Sequence, residues 1–218
     1  MSLAALLWKD ARRELRSKET LQAGLVLVLL FFVLDVLSFP DLSDQPRTAA
    51  AVLWIPILYG AAAVAGRGFA AEADRGTLDL LRASPAALSS HGWSRTILHL
   101  AVLAVLAGFA LAVGTFLFAL PAIAAVSMIL GLACVGLAVV ATLAAGLAAQ
   151  ARARDILLPI LVVPVSVPLL QSGLAATTAA LRGDPWSLWS NSVLLMAGYD
   201  VLAIGFAWFL WPIVLEGD

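Results

Sequence analysis

Apolar residues run through this chain in long blocks, and the short stretches between the blocks hold most of the charge. Within a block there is neither strict alternation nor a single narrow apolar stripe. The blocks are apolar on all sides, the pattern of helices surrounded by hydrocarbon or by other apolar helices. A hydrocarbon core of about 30 Å takes about 20 helical residues to cross. The blocks predict six crossings, at 21–39, 48–66, 97–120, 122–150, 156–181 and 193–215. The 56 residues between Arg95 and Arg152 carry no charge. As one helix they would extend ~84 Å at 1.5 Å per residue, too far for a single crossing, so they are divided at Pro121.

Two polar stretches have structure of their own. In residues 1–19, Leu3, Leu6, Leu7, Ala11 and Leu15 fall on one helical face, while Lys9, Arg12, Arg13 and Arg16 occupy the rest with Asp10 and Glu14. That predicts an amphipathic helix lying on the membrane surface, with Arg12, Arg13 and Arg16 toward anionic lipid or a cytoplasmic partner. Residues 67–95 form the longest polar stretch and predict a cytoplasmic loop carrying a short helix. Thr77 suits the N-cap, Asp79 the first turn, and Leu78, Leu80 and Leu81 would be exposed to the cytoplasm, while Pro85 disfavours helix at Ser84 and can start a new one. In the fifth crossing, Pro159, Pro164 and Pro168 each remove an amide donor and crowd the preceding turn, which predicts a kinked or broken helix and a hinge.

Composition then excludes whole classes. The chain has 218 residues, of which 62% are hydrophobic and 12% charged, against about a quarter charged in soluble domains. A soluble enzyme is excluded, and six crossings leave no room for a separate folded domain. The expectation is a single all-α membrane domain over 1–218. Cys134 is the one cysteine, so neither an intrachain disulfide nor a thiol metal cluster can form. The first 19 residues are charged throughout, and no small-residue cleavage site follows, so no signal peptide is expected. With the N-terminus in the cytoplasm, the inner segments hold Lys9, Arg12, Arg13, Arg16, Lys18, Arg67, Arg75, Arg82, Arg95, Arg152 and Arg154, eleven of the thirteen basic residues. Arg47 and Arg182 lie outside. This bias predicts both termini in the cytoplasm.

The polar stretch resembles the loop of ABC-2-type transporter permeases: Glu72, then Gly76-Thr77-Leu78-Asp79-Leu80-Leu81, then Pro85. The run from Arg152 to Leu170, with its spaced prolines, resembles the corresponding segment of the haem exporter protein B family, the CcmB-type permeases of cytochrome c maturation. The resemblance spans nearly the whole chain. It implies a type V-like ABC-2 fold in the bacterial inner membrane, with Glu72, Gly76, Thr77, Leu78, Asp79, Leu81 and Pro85 in a coupling helix that docks on a separate CcmA-type ATPase. It further implies CcmC- and CcmD-type haem-handling membrane proteins, a CcmE-type haem chaperone and a second copy of the chain. ATP would be bound on the partner, and haem would be a substrate rather than a resident cofactor. The residues fit that division of labour, because neither Lys9 nor Lys18 ends a glycine-rich phosphate loop. No catalytic or metal-ligating residue is expected in this chain.

Other residues invite functional readings. Asp35 and Asp200 fall at membrane depth, where a carboxylate is costly and often functional. Both are expected toward the outer leaflet, Asp200 in the outer third of its crossing, and could share a water-filled cavity. They would be the ion carriers if the protein were an ATP-independent transporter; an ABC-2 exporter of another substrate and a haem-handling scaffold are the remaining alternatives. Trp186 and Trp189 suit the aromatic belt of the outer interface. His91 and His99 do not make an axial ligand pair, and His99 is expected at a helix end with local bonding. Ala141, Ala145 and Ala149, and Ala144 with Ala148, repeat every four residues and predict close helix packing.

Overall fold

The computed structural model describes residues 3–17, 19–38, 45–73, 85–149, 151 and 154–216. They form seven helices: α1 (Leu3–Ser17), α2 (Glu19–Ser38), α3 (Pro46–Ala73), α4 (Pro85–Phe118), α5 (Ile123–Ala148), α6 (Arg154–Arg182) and α7 (Trp186–Glu216). No strand occurs among the described residues. Five helices contain stretches long and apolar enough to cross a membrane: Pro46–Gly66, Ser89–Phe118, Ile123–Ala148, Ile156–Arg182 and Trp186–Val214. The first of the six expected crossings is the exception. The apolar part of α2 is Leu21–Asp35, roughly 22 Å of helix and shorter than the hydrocarbon core.

Local chemistry sets the turns. Pro46 opens α3, where its missing amide hydrogen costs nothing, and Ala49 N–H bonds to the Gln45 carbonyl. After α6, Gly183 adopts φ 76°, and the Gly183 and Asp184 amides donate to the Ala180 and Ala179 carbonyls. This pair of bonds closes the helix with a left-handed glycine, and Pro185 follows it. Pro121 lies in the turn between α4 and α5, where Ala119 and Ala122 have φ of 48° and 57°. Such a conformation costs an alanine roughly 1–2 kcal/mol; burial of Phe118 and Leu120 beside it offsets that cost.

α5 occupies the centre and packs on α3, α4, α6 and α7, while α2 lies against α3 and α4, and α1 mainly against α4. Small residues let the neighbours of α5 come close. Ala133, Gly136, Ala138, Ala141, Ala144 and Ala145 are all buried. Where a large side chain crosses between helices it meets a glycine. The Trp54 indole of α3 fills the space above Gly173 of α6 and donates to Thr177 Oγ1 at 3.1 Å. The Trp211 ring of α7 likewise lies over Gly92 of α4.

Three expectations need correction. Residues 67–95 are not a loop throughout, since α3 continues to Ala73, while α4 begins at Pro85, where a new helix was expected, and runs without a break into the crossing expected from Ile97. Charged residues end a membrane crossing without ending a helix, because in water they are good helix formers. α6 does not break at its prolines and runs unbroken through Pro159, Pro164 and Pro168. In hydrocarbon the backbone has no water to turn to, so intrahelical bonding persists around each gap. α7 begins at Trp186, seven residues before Val193, which puts Asp200 at the middle of its crossing rather than in the outer third.

Candidate functional site

The end of the bundle that carries α1 brings together the groups with most chemistry. α1 lies against the first turns of α4. Its apolar stripe is interrupted by Asp10, four residues after the fully buried Leu6. A carboxylate in the middle of a buried face needs partners, and α4 supplies them. Ser94 Oγ donates to Asp10 Oδ2 at 3.0 Å, and Arg95 Nη2 stands 3.7 Å from Oδ1. Lys9 Nζ adds a contact at 3.4 Å, but its side chain is 51% exposed, so water screens most of that attraction. The same turns of α4 are gripped from the other side by α7, through Trp211 over Gly92 and a Trp93–Trp208 ring contact at 6.1 Å. His91 to Arg95 are therefore clamped between the amphipathic helix and the last turns of α7. The charge pattern concealed Asp10, which reads as one more polar residue; its phase, in line with Leu3, Leu6 and Leu7, was the available signal.

α3 and α4 both continue beyond their membrane stretches. α3 extends past Gly66 to Ala73, and α4 starts before Ser89, at Pro85. Glu72 sits in the last turn of α3 and Pro85 is the first residue of α4. Gly76, Thr77, Leu78, Asp79 and Leu81 lie outside the described residues, between these two helix ends. Arg12 is exposed on α1; Arg13 and Arg16 belong to the same helix.

The intramembrane candidates are spread apart. Asp35 is on α2, which packs on α3 and α4, whereas Asp200 is on α7, which packs on α4, α5 and α6. Neither carboxyl lines the apolar grooves between α2 and α4 or among α5, α6 and α7. The second groove, of about 420 Å³, is lined by Leu143, Leu147, Leu161 and Phe206 among others, with Tyr199 its one hydroxyl. Asp200 is 4% exposed, and neither of its oxygens has a hydrogen-bond partner.

His99 is also misplaced by the sequence reading. It is buried within α4, not at a helix end, and its Nδ1 lies 2.8 Å from Thr142 Oγ1 on α5. Thr142 donates its hydroxyl hydrogen to the Ala138 carbonyl, so it accepts from Nδ1–H and holds the ring as that tautomer. Trp186 is exposed as an interface residue would be. Trp189 is not: it is buried, packs edge-on against Trp186 at 4.4 Å and donates to the Asp184 carbonyl, bracing the α6–α7 turn.

Comparison with known proteins places this arrangement. The chain matches the CcmB protein family over residues 1–216. It is similar to heme exporter protein B of Bradyrhizobium diazoefficiens, with 29% identity over 193 residues, 84% of this chain and 83% of that protein.

Proposed function

The chain belongs to the CcmB protein family, and from that premise we propose that it is the haem-export membrane subunit of an ATP-driven complex for c-type cytochrome biogenesis. It couples ATP hydrolysis on a separate CcmA-type ATPase to haem export or to release of a haem-loaded chaperone. Two copies stand about one axis in the bacterial inner membrane, with α2 as a sixth, short membrane element and both termini in the cytoplasm. CcmC- and CcmD-type proteins and a CcmE-type chaperone complete the assembly. This chain contributes no catalytic residue, in keeping with its lack of a phosphate loop.

The observation that carries this reading is the pair of helix ends. α3 and α4 project past their membrane stretches, and the sequence that joins them includes Gly76–Leu81, a segment with a docking helix's composition. The buried contacts of Asp10 with Ser94 and Arg95, and of Trp211 with Gly92, hold the base of α4 on both flanks. A push on the segment is thereby delivered to α1 and α7 as well as to α4. A carrier that relied on Asp35 and Asp200 together has less support, because α2 packs chiefly on α3, and α7 on α5 and α6.

In a small docking contact the few residues at its buried centre carry most of the affinity, and losing one costs about 2 kcal/mol or more, or ~30-fold in affinity. Leu78→Asp or Leu81→Asp should strip the ATPase from the purified subunit and abolish c-type cytochrome production. Glu72→Ala should do less, since water screens a charge at the rim. Full ATPase recovery with both leucine variants, at equal membrane levels, would sink the coupling assignment.

A further inference from the structure

Asp200 is unused by the docking reading, and its surroundings are unusual. It stands midway along Trp186–Val214, buried, with both oxygens unpartnered. Gly136 of α5 faces it; a β-carbon there would run into Asp200 Oδ1, and Leu169 of α6 and the Tyr199 ring close in around the same point. Ser166 of α6 is fully buried. At the neighbouring residue, the Val165 carbonyl accepts the Tyr199 hydroxyl at 2.9 Å, which ties α6 to α7 at this level.

Among the described residues, no cation faces this carboxyl from a helix packed on it. α5 has no charged residue and α7 no lysine, arginine or histidine; α6 confines Arg154, Asp155 and Arg182 to its ends. On α4, His99 meets α5 at Thr142, six positions from Gly136 and so about 9 Å further along the axis. His91 and Arg95 lie further still toward the α1 end. The other titratable groups are the buried thiol of Cys134 on α5, Tyr199 itself, and Glu216 at the far end of α7. An ionised carboxylate with neither cation nor hydrogen-bond donor is far more costly in an apolar interior than the neutral acid.

We propose that Asp200 is a proton-binding site, its side chain standing in the membrane interior as the neutral carboxylic acid beside Leu169 and the Tyr199 ring, where α5, α6 and α7 meet. A bound metal cation fits the donors less well. Tyr199 donates to Val165, which leaves the two carboxyl oxygens where hard cations take about six oxygens. The site is independent of the ATPase contact and does not rest on it.

Dicyclohexylcarbodiimide, an apolar reagent, reports directly on such a group. The acid's proton passes to a carbodiimide nitrogen while the carboxyl oxygen bonds to the central carbon. The acyl group then migrates to nitrogen and leaves a stable N-acylurea, with no leaving group and no change of oxidation state. The full-length subunit in lipid nanodiscs at neutral pH should carry this adduct on Asp200, mapped by peptide mass spectrometry. The adduct should be lost in Asp200→Asn, along with an infrared carbonyl band of a protonated carboxylic acid, while the variant keeps its helical circular dichroism. Substituting sodium for choline in the buffer should change neither signal. Absence of both adduct and band in the wild type would overturn the proposal, as would sodium protection, which would make Asp200 a cation site instead.

Discussion

Asp10 and Asp200 are both buried aspartates, 1% and 4% exposed, in the same small bundle. Around Asp10 the chain has assembled a serine hydroxyl, a guanidinium and a lysine ammonium. Around Asp200 it has placed a glycine, a leucine and a tyrosine ring. Burial alone therefore says little about a carboxylate's role. Asp10 is where two helices are joined, and its charge is matched because α1 meets the basic, polar start of α4. Asp200 lies among helices with no base to offer, so matching must come from a proton.

The largest effect that would break this comparison is at the paired site. Asp10→Ala removes the carboxylate that faces Arg95, whose side chain is only 10% exposed. Breaking a buried ion pair by deleting one partner costs about 3 kcal/mol or more. Unfolding in mixed micelles titrated with denaturing detergent should show that loss, together with increased protease access to α1. If Asp10→Ala is as stable as wild type, the two carboxylates do not differ as described.

A smaller loss should follow from Ser94→Ala, which deletes one hydrogen bond to the same carboxylate and costs about 1 kcal/mol. Combined with Asp10→Ala, it should add almost nothing, because the shared interaction is already gone. Full additivity in that cycle would mean the 3.0 Å contact contributes nothing.

The smallest effect is expected at Asp200. The amide of Asp200→Asn has nearly the shape of the neutral acid and, like it, carries no charge, so stability should stay within about 1 kcal/mol of wild type. The same detergent titration measures it. A loss as large as that of Asp10→Ala would show that Asp200 is an ionised, matched carboxylate after all.

Much of the architecture was legible in the chain. Block length and uniform apolarity announce membrane helices, and the stripe of Leu3, Leu6 and Leu7 announces α1. Gly183 before Asp184-Pro185 marks a helix end by its backbone freedom. The misreadings have a common cause. Glu72 was taken as loop because polarity was equated with the absence of helix, whereas polarity marks only where the bilayer stops. Pro164 and Pro168 were expected to kink or break α6; the helix does not break there, because a helix enclosed in hydrocarbon keeps the bonds it can. Asp10 was counted with the surface charges, and His99 was assigned local bonding although its partner, Thr142, is 43 residues away.

By itself the sequence determined that this is an all-helical membrane chain and where its charges concentrate. Those properties depend on composition and on spacing within single segments, which transfer from water to hydrocarbon reads residue by residue. Tertiary structure decided which face of each helix is enclosed, that Asp10 finds Ser94 and Arg95, and that Gly136 leaves room for a solitary Asp200. A helix apolar on every side has no stripe to announce its inward face. That choice is made by the fit of glycines and alanines against tryptophans and leucines on other helices, which exists only once the bundle is packed.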